Sequence, residues 1–141
     1  MTTTRIFTVE EADRAIPLLK RILSDLRVEY DIFREAEASY ELLAAGSRAD
    51  IGETEAMVES RTALTESAER VDLLRQELES IGCVFRGFEA ELVDFYALRD
   101  DRLVFLCWKF GEERISHWHE VDAGFPGRQP VYPNEFSAIL P

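Results

Sequence analysis

Two apolar ladders, each stepping alternately by three and four residues, constrain the fold of this chain more than any other feature. The first runs Ile16, Leu19, Leu23, Leu26, Tyr30, Phe33, Glu37, Tyr40, Ala44, and the second Met57, Ser60, Leu64, Ser67, Val71, Leu74, Leu78, Ile81. Such spacing keeps side chains on one face of a helix, as in a coiled-coil seam. Gly46-Ser47 and Asp50-Ile51-Gly52 interrupt the rhythm between the ladders, and Gly82 ends the second helix. A loop this short makes the two helices antiparallel neighbours. Folding back about residue 49 brings Phe33 and Tyr40 near Met57, Ser60 and Leu64, and Tyr30 near Ala68. Large rings then meet small or flexible residues, as interdigitated packing requires. Glu37 breaks the seam, either as a partner for a serine across it or as a solvated position.

The first helix has a sharp start. Thr8-Val9-Glu10-Glu11 has the form of a capping box, with Phe7 and Ala12 placed for a weak hydrophobic staple. Acidic residues in the first turn suit the helix dipole. Pro17 lacks the N–H that would bond the Asp13 carbonyl. Either the helix kinks there, which is the preferred reading, or a short helix ends near Ala15 and a longer one begins around Pro17.

Beyond Gly82 the period changes to that of strands. Cys83–Phe85 and Leu92–Phe95 read as strands, and the apolar run Leu103–Trp108 as a central strand buried on both faces. Arg99–Arg102 and Gly111–Glu113 form the flanking turns, and Arg114–His119 is the next strand. The Gly- and Pro-rich tail from Asp122 reads as loop, with irregular final residues. The expectation is an α+β single domain over residues 1–141: a long antiparallel helical hairpin in 1–82, then a small antiparallel sheet of three or four strands in 83–141.

Composition limits the partners. The 141 residues suffice for one core, and the net charge of -12 is spread along the chain. With no basic cluster to neutralise phosphates, nucleic acid and anionic membranes are disfavoured. No apolar stretch reaches membrane-spanning length, and the first residues lack the apolar run of a signal peptide. Cys83 and Cys107 then read as reduced thiols of a cytoplasmic protein, with a single disulfide as the alternative. A hairpin with more than 25 residues per arm is about 40 Å long, too long for a small sheet to cover. Leu18, Ile22, Ile32, Ala63 and Leu73 lie off the seam, so the chain is expected to form a homodimer, with a four-helix bundle as one arrangement.

Several motifs taken together carry a resemblance. Phe7-Thr-Val-Glu-Glu-Ala-Asp, Ile16-Pro-Leu-Leu, Leu92-Val-Asp-Phe, Leu106-Cys-Trp, Trp118-His-Glu and Asp122-Ala-Gly-Phe-Pro-Gly-Arg-Gln-Pro span nearly the whole sequence. In these the chain resembles the bacterial domain of unknown function 2203 family. The resemblance implies a stand-alone prokaryotic protein and no particular activity. Two positions depart from the family pattern: Glu91 stands where a glycine tends to precede Leu-Val-Asp-Phe, and Ser116-His117 where an aromatic tends to precede Trp-His. A site dependent on His117 is therefore not general to the family.

The residues offer one patch for chemistry. In a strand, His117 and His119 share a face, a spacing at which paired imidazoles can ligate a divalent transition metal. Glu120 or Asp122 can complete the shell where the strand gives way to loop, and Asp94 or Cys107 can arrive from neighbouring strands. The bland alternative is two sheet histidines, one bonded to a carboxylate. Asp94, set among apolar neighbours, needs a partner such as Arg128 or His119 if buried, and is a candidate general base. Arg128 can hold a ligand's carboxylate or phosphate, or clamp Asp94 or Asp122. The loop around it lacks a phosphate-cradle pattern. Trp108 and Trp118 read as core aromatics, and Cys107 as a packed, inert thiol. No serine has nucleophile-elbow context.

Two functional readings follow. The leading one is a non-catalytic dimeric interaction module built on the hairpin. Its rival is a metal- or small-ligand-binding protein centred on His117 and His119, with no cofactor implied beyond that metal.

Overall fold

The structure, a computed structural model, describes residues 4–48, 51–132 and 134–137. Two helices, α1 (Val9–Ala45) and α2 (Glu55–Ser80), precede six strands: β1 (Cys83–Phe85), β2 (Leu92–Arg99), β3 (Arg102–Lys109), β4 (His117–Glu120), β5 (Gln129–Pro130) and β6 (Phe136–Ser137). All strand pairs are antiparallel, in the order β1-β2-β3-β4-β5, with β6 beside β2. The α+β architecture agrees with the sequence reading, but the sheet has six strands rather than three or four. The extra two are two-residue strands from the tail read as loop, too short for any period to register. Among the described residues no helix is long and apolar enough to cross a membrane.

The chain divides into two compact units, residues 21–77 and residues 1–20 with 78–141. The first carries most of both helices and the segment between them, with no strand among the described residues. Its seam is legible in burial: Leu23, Leu26, Met57 and Ser67 are buried, and Phe33, Tyr40, Ser60, Leu64, Val71 and Leu74 are half-covered. Arg70 Nε donates to Glu29 Oε2 at 2.7 Å and the Tyr40 hydroxyl to Glu53 Oε2 at 3.4 Å, which confirms the antiparallel pairing. Asp50 and the bend expected around residue 49 lie outside the described residues. Glu37 is exposed, the solvated alternative. Ile22, expected off the seam, is buried.

The second unit opens with the capping box the sequence predicts. The Thr8 N–H donates to Glu11 Oε1 at 2.9 Å, and the Glu11 N–H to Thr8 Oγ1 at 3.1 Å. These contacts hold the Glu11 carboxyl below its ordinary range, the Thr8 backbone bond contributing most. The helix runs unbroken through Pro17. Gly82, at φ +99°, takes the left-handed conformation that closes α2 and turns the chain into β1.

Antiparallel registry sorts the sheet's side chains onto two faces. Phe95, Leu106 and Trp118 form one cross-strand row. Phe7 packs edge-on against Phe95 at 4.9 Å, and Asp13 of α1 accepts the Ile115 N–H at 2.7 Å, so the start of α1 lies on this apolar face. Asp94, Cys107 and His117 form a neighbouring row on the opposite face. Glu91, just before β2, holds φ +57°. Only glycine enters this region without steric cost, so Glu91 holds a backbone conformation that L side chains rarely adopt.

Candidate functional site

The polar row is the only place in the described sheet where acid, thiol and imidazole converge. Asp94 stands on β2 and Cys107 opposite it on β3, while His119 lies two residues beyond Cys107's other partner, His117, on β4. His119 therefore reaches diagonally across β3. Its Nε2 lies 3.0 Å from Asp94 Oδ1, and both side chains are at most 3 % exposed. The other ring nitrogen, Nδ1, donates to the Glu120 carbonyl at 2.7 Å. A carbonyl oxygen only accepts, so Nδ1 carries a proton and Nε2 is the nitrogen directed at Asp94. The ring also packs against Phe105, 5.5 Å between centroids.

Cys107 Sγ completes the group. One donor atom from each of Asp94, Cys107 and His119 lies within 4.8 Å of the others, and all three residues are buried. Burial, with Asp94 adding to it, pushes the Cys107 thiol up to about 12, so without a metal it is a neutral, unreactive thiol. Both cysteines are free and buried.

Arginines flank the group on each side. Arg86 Nε donates to Asp94 Oδ2 at 2.9 Å, and its guanidinium lies over the Phe105 ring at 5.1 Å. Arg128 donates to the Cys107 carbonyl at 3.1 Å and to Glu112 Oε1 at 2.7 Å. Its Nε is buried without a partner among the described residues. Glu112 also accepts the Lys109 N–H at 2.6 Å. In the loop after β4, Gly127 is obligatory, because a Cβ there would lie 2.5 Å from Ala123 Cβ. Above Asp94 and His119 opens a cleft of about 400 Å³, walled by Arg86, Leu92, Val121 and Phe125, with Asp122 on its lining.

The structure separates the four ligand candidates drawn from the sequence. His119 alone joins Asp94 and Cys107. His117 shares a 2.8 Å hydrogen bond with the Ser116 hydroxyl and lies 3.9 Å from Glu112. Glu120 points to the opposite face and pairs with Arg102, as alternation along a strand requires. Asp122 is exposed at the cleft. Arg128, expected to clamp Asp94 or Asp122, instead holds Glu112 and a β3 carbonyl, while Asp94 takes His119 and Arg86. Sequence reasoning missed both Arg86, just past the first strand, and Glu112, which it read as turn. A usable signal existed for Arg86: a buried acid on a hairpin strand draws its counter-charge from just beyond the partner strand.

This arrangement limits the chemistry. A histidine acting as general base presents one nitrogen to a substrate, whereas both His119 nitrogens are engaged. Donors on one tetrahedral metal sit about 3.3–3.6 Å apart at ordinary bond lengths; here His119 Nε2 and Asp94 Oδ1 are 3.0 Å apart and the three donors all lie within 4.8 Å of one another. Metal-bound histidines commonly donate their second N–H to a carbonyl, as His119 does.

Residues 5–131 match the family described as an uncharacterised conserved protein (DUF2203). No curated protein and no solved structure matches the chain. The chain belongs to this uncharacterised family, as its motifs suggest.

Proposed function

We propose that this member of the family binds a divalent transition metal through Asp94, Cys107 and His119. The observation that carries the reading is the diagonal reach of His119, which directs Nε2 at Asp94 beside the Cys107 sulfur while the Glu120 carbonyl fixes Nδ1–H. A mixed nitrogen, sulfur and oxygen set suits zinc or a neighbouring metal. Three protein ligands leave one position of a tetrahedron open, the arrangement of sites that bind or activate a further ligand. Arg86 orients Asp94 in the manner of an outer-shell partner. A reducing cytoplasm, where thiols persist, accords with two free cysteines.

Metal analysis of protein purified without a histidine tag tests the reading. About one zinc per chain is expected after equilibration with zinc and removal of excess. Cys107→Ser and His119→Ala variants that still fold should each lose most of it. A wild-type chain that retains no zinc, cobalt or nickel would leave the trio as a hydrogen-bonded structural network.

A second reading, self-association through the helical hairpin, is favoured by a separate observation. In residues 21–77, Val28, Ile32, Leu42 and Leu73 are exposed, Leu42 by 77 %. Two helices alone bury little, and apolar side chains left in water favour association. Light scattering at micromolar concentration should report about twice the 16.2 kDa of one chain. A mass of one chain would exclude this reading and leave the metal reading untouched.

A further inference from the structure

We infer that the cleft above Asp94 and His119 takes a small carboxylate, held between the metal's open position and the outer edge of the Arg86 guanidinium. This rests on the metal reading and names the class of molecule the site would receive. Arginine and carboxylate usually close two parallel hydrogen bonds. Arg86 gives Asp94 only Nε, at 2.9 Å, and among the described residues its terminal nitrogens have no hydrogen-bond partner. The side chain is 39 % exposed and lines the cleft, so a two-pronged donor faces the space beside the candidate metal position. The Phe105 ring beneath the guanidinium fixes its plane.

The other walls narrow the class. Leu92, Val121 and Phe125 supply apolar surface, and a volume of about 400 Å³ admits a small molecule rather than a polymer segment. Asp122 places an exposed acid on the same lining. A doubly charged phosphate meets more repulsion there than a singly charged carboxylate with a short apolar body.

Isothermal titration of isobutyrate into zinc-loaded protein tests this, with zinc content measured first on every sample. Saturable binding is expected for the wild type, weakened about tenfold or more in Arg86→Ala and less in Arg86→Lys, which keeps a charge but lacks the fork. Inorganic phosphate should bind more weakly than isobutyrate. Val121→Trp, a change at an exposed wall position, should block isobutyrate while leaving zinc content unchanged, and it serves if Arg86→Ala does not fold. Zinc-loaded wild type that ignores isobutyrate, or binding indifferent to both Arg86→Ala and Val121→Trp, overturns the carboxylate site alone. Tighter binding of phosphate overturns the choice of anion. Failure to load zinc overturns the metal reading on which the site depends.

Discussion

Two of the molecule's arginine–carboxylate contacts, nearly equal in length, lie in contrasting surroundings. On the helical hairpin, Arg70 meets Glu29 at 2.7 Å with its side chain 46 % exposed; in the sheet, Arg86 meets Asp94 at 2.9 Å with Asp94 almost wholly buried. The shorter contact is the less consequential. Water still reaches both side chains, Arg70 at 46 % and Glu29 at 22 % exposure, so the pair adds far less to folding than a buried one. Asp94 has given up its hydration and depends on Arg86 and His119 to replace it. Distance alone therefore ranks the contacts wrongly, and burial decides which one the fold depends on.

The contrast breaks most readily at Asp94. Asp94→Ala leaves His119 and Arg86 facing a buried gap, and a loss of about 3–5 kcal/mol is expected in urea denaturation of the metal-free protein. A loss near that of an ordinary surface substitution would show that the pair is solvated after all.

Alkaline titration sharpens the same point without touching a charge pair. Burial raises the Cys107 thiol from an ordinary 9.0 to about 12 in the folded chain. The folded state thus holds a proton that the unfolded chain releases earlier. The resulting stability is complete below pH 9 and fades as pH rises towards 12, by about 1.4 kcal/mol per unit. Denaturation midpoints of metal-free protein should fall over that window, and less steeply in Cys107→Ala.

The capping box at Thr8 lies between the extremes. Its two hydrogen bonds are half-buried and satisfy backbone donors that water reaches only in part. Thr8→Ala should cost about 1 kcal/mol, read as a lower thermal midpoint. At the far end, Arg70→Ala should leave the midpoint within error of wild type. A clear drop there would contradict the ranking by burial.

Much of this architecture was legible because local periodicity encodes it. The seams, the cap at Thr8, the stop at Gly82 and the core strand through Leu106 follow from side-chain spacing and backbone freedom, which act over a few residues. The site was legible only in part. Alternation placed His117 and His119 on one face, and the apolar neighbours of Asp94 marked it as an acid needing a partner. Which histidine it meets depends on the register of three strands, and β3 supplies that register by setting Cys107 between Asp94 and His117. Residues such as Arg86 and Glu112 gain their roles from where loops return, and no short-range pattern records that.

The amino-acid sequence by itself determined two helices, their antiparallel pairing and the strand-forming second half, because each depends on contacts within a few turns. Tertiary structure decided that His119 rather than His117 joins Asp94 and Cys107, that Arg128 serves Glu112, and that a cleft opens beside Arg86. Those outcomes are set by cross-strand register and loop closure, where one residue of slip would carry every side chain to the other face.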